Sequence, residues 1–411
     1  MRPANHVTKL GMADNSESES DFVVHVLRPA LVYIRNADKY FIVPGEPCTP
    51  APLETDDLVE FEKYCTRPLN GMTSAAVQTQ AELDKLQAMQ ILDGGVTFST
   101  AIDTFSAAPP TRRWSFPEFN ESMTDLLTNG IVPLNNQGVV HYDIKQDNIV
   151  YDGTHVRLID WDRAVEPRDW ASVVYTWPHF QTLVQQPAAY SLLCSYAHDV
   201  ISNAAAARSS GAQVLDALTA KLLVNQTRVD MPNRLHRVAE KLGENYARVI
   251  VNPTDQLREI LIAFYDESTY TFNWDGYAML LLRNYDVYGW LALNNLCWNN
   301  FSVLFEPGSV PAALNFNDKS RDFLAKYMYS AKILAQPYNI AQMIFELKSF
   351  TVMPSAPIVP IAPIVPAVPA LKRQQNVLSP PPTKRQRTAA GPTSQPAVAS
   401  KPGGGMCVIS G

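Results

Sequence analysis

Between Phe22 and Pro47 the apolar residues crowd into two runs, 22-FVVHVLRPALVYI-34 and 40-YFIVP-44, around the polar turn Arg35-Asn36-Ala37-Asp38. Val, Ile, Tyr and Phe dominate both, so the pattern predicts a β-rich segment. From Ala75 to Leu92 the positions Leu83, Leu86, Met89 and Leu92 recur at threefold spacing, which predicts a helix. A looser stretch rich in Ser, Thr and Pro runs to about Pro117, and 118-EFNESMTDLLTNGIV-132 again has helical spacing. Two short apolar runs then flank Asp152-Gly153, the signature of a hairpin. Helical patterns return in 212-AQVLDALTAKLLV-224 and 256-QLREILIAFYDE-267. The segment 277-YAMLLLRNYDVYGWLALNNLCW-298 is apolar enough for a buried central helix.

The body of the chain ends near Ser349. Beyond it, prolines stand at 354, 357, 360, 363, 366 and 369, one per turn of a polyproline II helix. That spacing suits a stiff spacer or a ligand for an aromatic-lined groove on a partner. Two basic clusters follow, Lys372-Arg373 and Lys384-Arg385-Gln386-Arg387, spaced like a bipartite nuclear-import signal that an importin-type receptor would read. The tail from Thr351 has six basic residues and no acidic one, so the −6 of the whole chain conceals a more acidic body.

Composition narrows the classes further. A hydrophobic fraction of 46% with 18% charged residues supports a buried core, so 411 residues predict two domains or one large domain with insertions. The five cysteines are scattered without a C-x-x-C pair, which predicts a reducing compartment, no disulfide framework and no structural zinc. No basic start followed by a long apolar run suggests secretion, and no stretch of about 18 apolar residues suggests a membrane span. No direct nucleic-acid binding is evident. The expected location is intracellular, nuclear or nucleo-cytoplasmic.

The chemistry concentrates in 139-VVHYDIKQDNIVYDGTHVRLIDWDRAV-165. A hairpin across Asp152-Gly153 would bring Asn148, before its first strand, beside Asp160, after its second. An amide oxygen and a carboxylate together suit a hard cation such as Mg²⁺, shared with phosphate oxygens. Asp143 on the loop leading in could orient a hydroxyl and accept its proton. Lys145, two residues on, could neutralise charge on a phosphoryl group in transfer.

This stretch resembles the catalytic loop and metal-binding motif of the protein-kinase fold, H-x-D-x-K-x-x-N followed by an aspartate triad. In the same way 286-DVYGW-290 resembles the D-x-W-S-x-G motif of the large-lobe central helix, whose Asp holds the catalytic loop backbone; Asp286 would then be structural. The order of 7-VTKLG-11, the acids Glu17 and Glu19, and the apolar runs resembles the small lobe of Ser/Thr protein kinases of large DNA viruses. That resemblance implies that Lys9 holds the ATP phosphates and that Glu19 (or Glu17) pairs with it. It also implies an α+β, two-lobed fold: a partial β-rich small lobe over 1–60, a large lobe over 61–350 with a helical insertion at about 182–274, and a disordered tail over 351–411. The implied activity is ATP- and Mg²⁺-dependent phosphorylation of protein Ser and Thr.

The departures define the alternatives. No Gly-rich loop precedes Lys9, which admits a catalytically weak kinase-like scaffold. Tyr142 replaces the usual Arg before the catalytic Asp, which predicts activity without activating phosphorylation. Asp160-Trp161-Asp162 resembles the motif of aminoglycoside and choline phosphotransferases, where the second acid helps with metal. That likeness gives Asp162 a metal role and admits a small-molecule acceptor.

Overall fold

Val23, Leu27, Ala30 and Ile34 are all buried, at spacings of three and four residues, along one side of a helical run. The computed structural model describes residues 6–50, 52–53, 58, 61–65, 69, 71–107, 113–166, 195–226, 253–306, 316–328, 330–351 and 407–410. In it α1 (Ala13–Phe22) passes through a π-helical turn, Val23–Leu27, into α2 (Arg28–Leu31). The expectation of a β-rich segment from Phe22 is therefore corrected. Its β-branched residues misled, and the 3.6-residue period of burial prevailed. Each of the larger apolar side chains contributes about 1.5–3 kcal/mol when fully buried.

The helix expected over 75–92 is also replaced. A 3₁₀ turn at Ala76–Gln78 and one helical turn at Gln80–Leu83 give way to strand β2 (Leu86–Leu92). β2 runs antiparallel to β1 (His6–Met12), with Lys9 opposite Met89 and Leu10 opposite Ala88. Leu83, Leu86 and Met89 are buried, as a helix would also have made them, while Leu92 is exposed. The first sheet has the order β2-β1-β8, where β8 is Cys407–Ser410. It therefore draws on both sides of the boundary expected at residue 60, because strand pairing and not chain order assembles it.

The second sheet is β3 (Val96–Thr97), β4 (Ile149–Tyr151) and β5 (Val156–Leu158), all antiparallel. Segment 40–48 links the two sheets. Leu158 donates to the Tyr40 carbonyl and Ile42 donates back to Leu158, while Cys48 and Ala88 exchange backbone bonds. Helical spacing is kept over Phe116–Asp125 and onward through Leu126–Ile131 and Val132–Asn136. The central helix, Trp274–Asn299, starts where the Asn273 side chain accepts the Gly276 N–H at 2.9 Å. It is buried over most of its length and shares one apolar cluster with the hairpin and with Val23–Ile34.

The architecture is α+β. Within 182–274 the described residues hold helices Ser195–Ala206, Gly211–Gln226 and Pro253–Phe264 and a short antiparallel pair, β6 (Tyr265–Asp266) and β7 (Thr271–Phe272). Two compact units divide the chain, Met1–Met353 with Ala399–Gly411, and Pro354–Val398. The proline repeat and the basic clusters lie outside the described residues. No helix among the described residues is long and apolar enough to cross a membrane. Cys48 and Cys297 are free thiols, but Cys65 is disulfide-bonded, which corrects the expectation of unbridged cysteines. A bridge requires two Cβ atoms close together and suitably oriented, which spacing along the chain does not report.

Candidate active site

Local chemistry builds the hairpin. The Asp152 carboxylate accepts the N–H groups of Thr154 and His155, each at 2.7 Å, and Gly153 takes φ +95°, where a side chain would be strained. At the open end Ile159 donates to the Asn148 carbonyl at 3.0 Å. Asn148 and Asp160 thus emerge at the same end of the hairpin, as their spacing suggests.

The loop entering the hairpin is held by Asp286, which is fully buried in the central helix. One carboxylate oxygen accepts the His141 N–H at 2.8 Å and the Asn135 amide at 2.9 Å. The other accepts the Tyr142 N–H at 2.9 Å. Burial raises the Asp286 pKa, while His141 and these donors pull the other way. Three residues on, a Cβ on Gly289 would come within 2.8 Å of the Ile144 side chain and 3.0 Å of its carbonyl. The helix can approach the loop this closely only through a glycine. Tyr142 sits at φ +68° with its ring stacked on Tyr285 at 4.1 Å and 19°.

Asp143 is buried and faces Lys145 and Asn148. Its Oδ2 accepts the Lys145 ammonium at 2.5 Å and the Asn148 amide at 3.0 Å. Its Oδ1 has no hydrogen-bond partner among the described residues. A buried carboxylate oxygen left unsatisfied is costly, so it is an acceptor built for a donor from elsewhere.

Lys9, on β1, is only 4% exposed. Its ammonium reaches Glu19 of α1 at 2.5 Å and Asp160 at 3.3 Å. Burial works to lower its pKa, yet the charges of Asp160 and Glu19 outweigh that and hold it above the ordinary lysine value. Glu19 is the partner of Lys9; nothing is described for the Glu17 side chain. Asp160 has φ +71° and is followed by a fully buried Trp161. The Trp161 indole donates to the Ile42 carbonyl at 2.9 Å, and its backbone N–H donates to Glu19 at 3.3 Å. Its ring meets Phe41 edge-on at 5.6 Å and lies 4.7 Å from that of His141.

Packing around Asp162 and then the like charge of Asp160 push its carboxyl up to about 6, with Glu19 and Asp143 adding to the rise and Lys9 opposing it. Part of its surface stays open to solvent, and the like charges of Asp160, Glu19 and Asp143 act on it together with the lost hydration. Among the described residues no three His, Cys, Asp or Glu side chains are grouped to hold a metal by themselves. The donor set nevertheless suits Mg²⁺, a hard ion that keeps waters and shares phosphate oxygens rather than filling a protein cage. Asn148 turns its amide nitrogen to Asp143, so that its oxygen is the atom that would face a cation.

Every expected site residue lies in one of two connected groups, Lys9–Glu19–Asp160 with Asp162, and Asp143–Lys145–Asn148. Four supporting residues were not foreseen in these roles: Asn135, Trp161, Tyr285 and Gly289. Trp161 and Gly289 stood inside motifs already singled out, whereas Asn135 and Tyr285 carried no local signal. No protein-family model matches this chain, and no curated protein matches it.

Proposed function

We propose that the chain transfers a phosphoryl group from ATP to Ser and Thr hydroxyls of proteins, within a two-lobed protein-kinase-like arrangement. The observation that carries this reading is the Lys9 ammonium bonded at once to Glu19, ten residues on, and to Asp160, across the fold. A buried lysine kept charged by two acids is a ready partner for polyphosphate oxygens. Asp143 orients the acceptor hydroxyl through its unfilled oxygen and takes its proton. Lys145, beside it, offsets charge on the group in transfer. Asn148, Asp160 and Asp162 would hold Mg²⁺, which neutralises charge on the phosphate oxygens.

The test is incubation with labelled ATP and generic protein substrates, wild type beside Asp143→Ala. Label on Ser and Thr that disappears in the variant supports the reading. Label confined to small amines or alcohols would replace it with small-molecule phosphotransfer, a reading favoured by Asp160-Trp161-Asp162. A chain that shows no thermal shift with Mg·ATP would instead be a kinase-like scaffold. Nuclear import through Lys372–Arg387 and a groove-type partner for the proline repeat belong to the same proposal, tested by deleting each segment and following localisation and binding.

A further inference from the structure

β1 is bordered on both sides, and its outer neighbour comes from the far end of the chain. In β8, Cys407 stands opposite Leu10, Val408 opposite Lys9, Ile409 opposite Thr8 and Ser410 opposite Val7. Without β8, β1 would be an edge strand with alternate N–H and C=O groups of Val7–Leu10 unpaired. Lys9 lies inside this register, and the reach of its ammonium to Glu19 and Asp160 depends on where the strand holds its Cα. Cys-Val-Ile-Ser is a short run with two β-branched residues at its centre, suited to pairing.

We propose that the outer edge of β1 is a strand-accepting site, that its occupant is this chain's own segment Cys407–Ser410, and that docking of the segment tightens the Lys9 site for nucleotide polyphosphate. The last part rests on the phosphotransfer reading; strand docking rests on backbone pairing alone. Strand addition draws its affinity from main-chain hydrogen bonds. Four residues would pair weakly as a separate peptide, but attachment to the same chain makes their docking intramolecular and raises their effective concentration. Undocking would return Lys9 to an edge strand and loosen its hold on Glu19 and Asp160.

Amide hydrogen exchange read by mass spectrometry tests the docking in the full wild-type chain. Residues 407–410 and the outward amides of β1 should open together, with rates within about twofold. Fast exchange of 407–410 beside a protected β1 overturns the proposal without any variant. Ile409→Pro, which removes a backbone donor, should speed exchange of residues 6–12 by about tenfold or more while β4, β5 and the central helix stay protected. ATP affinity should fall by about tenfold in the same variant. A chain ending at residue 406 should behave likewise, and a synthetic peptide of residues 403–411, which carries the three glycines preceding the strand in sequence, should restore both properties saturably. Unchanged β1 exchange in the shortened chain, with no effect of peptide, overturns strand docking. Restored β1 protection with nucleotide affinity unmoved overturns the coupling to Lys9. Docking that is restored in a chain that never binds nucleotide, wild type included, sinks the phosphotransfer reading and leaves the strand site standing.

Discussion

The backbone N–H of Trp161 donates to the same Glu19 carboxylate that holds the Lys9 ammonium. Through this shared acid the orientation of Asp160-Trp161 is tied to the lysine strand. Trp161→Phe keeps an aromatic ring but loses the indole bond to Ile42, leaving a carbonyl unfilled, and leaves space where the larger ring was fully buried. The lost bond and the cavity together should cost about 2–4 kcal/mol in chemical denaturation. Glu19→Gln keeps the shape but removes one of the acids around Lys9, and should raise KM for ATP by roughly tenfold.

Asp143→Ala should lower turnover by at least about a hundredfold with ATP affinity preserved. Single-turnover kinetics beside calorimetric ATP binding separates the two. Near-wild-type turnover would remove Asp143 from its role.

Asp286→Asn tests the support beneath the loop. A carboxamide offers one acceptor oxygen where a carboxylate offered two to His141, Tyr142 and Asn135. A buried donor left unmade costs about 1–3 kcal/mol, visible in urea unfolding. Gly289→Ala should displace the loop at Ile144 and reduce kcat more than it reduces stability.

Asp162 gives a pH signature. Its folded pKa of about 6 lies above the ordinary 3.8, so the folded state binds this proton more tightly. The stabilisation from that proton is full below 3.8 and is lost as pH rises through about 6. Asp162→Asn should match wild type in melting at pH 3.5 and melt higher at pH 7, with a gap that salt narrows. A gap of the same size at both pH values would exclude this cause.

Tyr142 stacks on Tyr285, where the proposed family would carry an Arg to meet an activating phosphate. Phosphatase treatment should therefore leave turnover unchanged. Tyr285→Ala should lower it, because the loop then loses its aromatic support.

What the sequence made legible was local. His141 to Asp162 lie close along the chain, and a hairpin of six strand residues suffices to gather Asp143, Asn148 and Asp160. The central helix was legible because its apolar run exceeds any strand. Val23–Ile34 misled because β-branched composition and helical period pointed in opposite directions, and only packing decided between them. Leu83, Leu86 and Met89 misled because buried spacing is shared by a helix and by a helical turn leading into a strand. β8 was invisible: four residues carry little pattern, and their partner is separated from them by nearly the whole chain.

That separation governs when the first sheet can form. Protein synthesis delivers β1 before β2, and the residues of β8 only after both, the hairpin and the central helix. Lys9, Glu19 and Asp160 can all have met while β1 still lacks its outer neighbour. A nascent chain on the ribosome therefore carries the hairpin and the central helix but an unfinished lysine strand, and its sheet is completed only after residues 407–410 have been made.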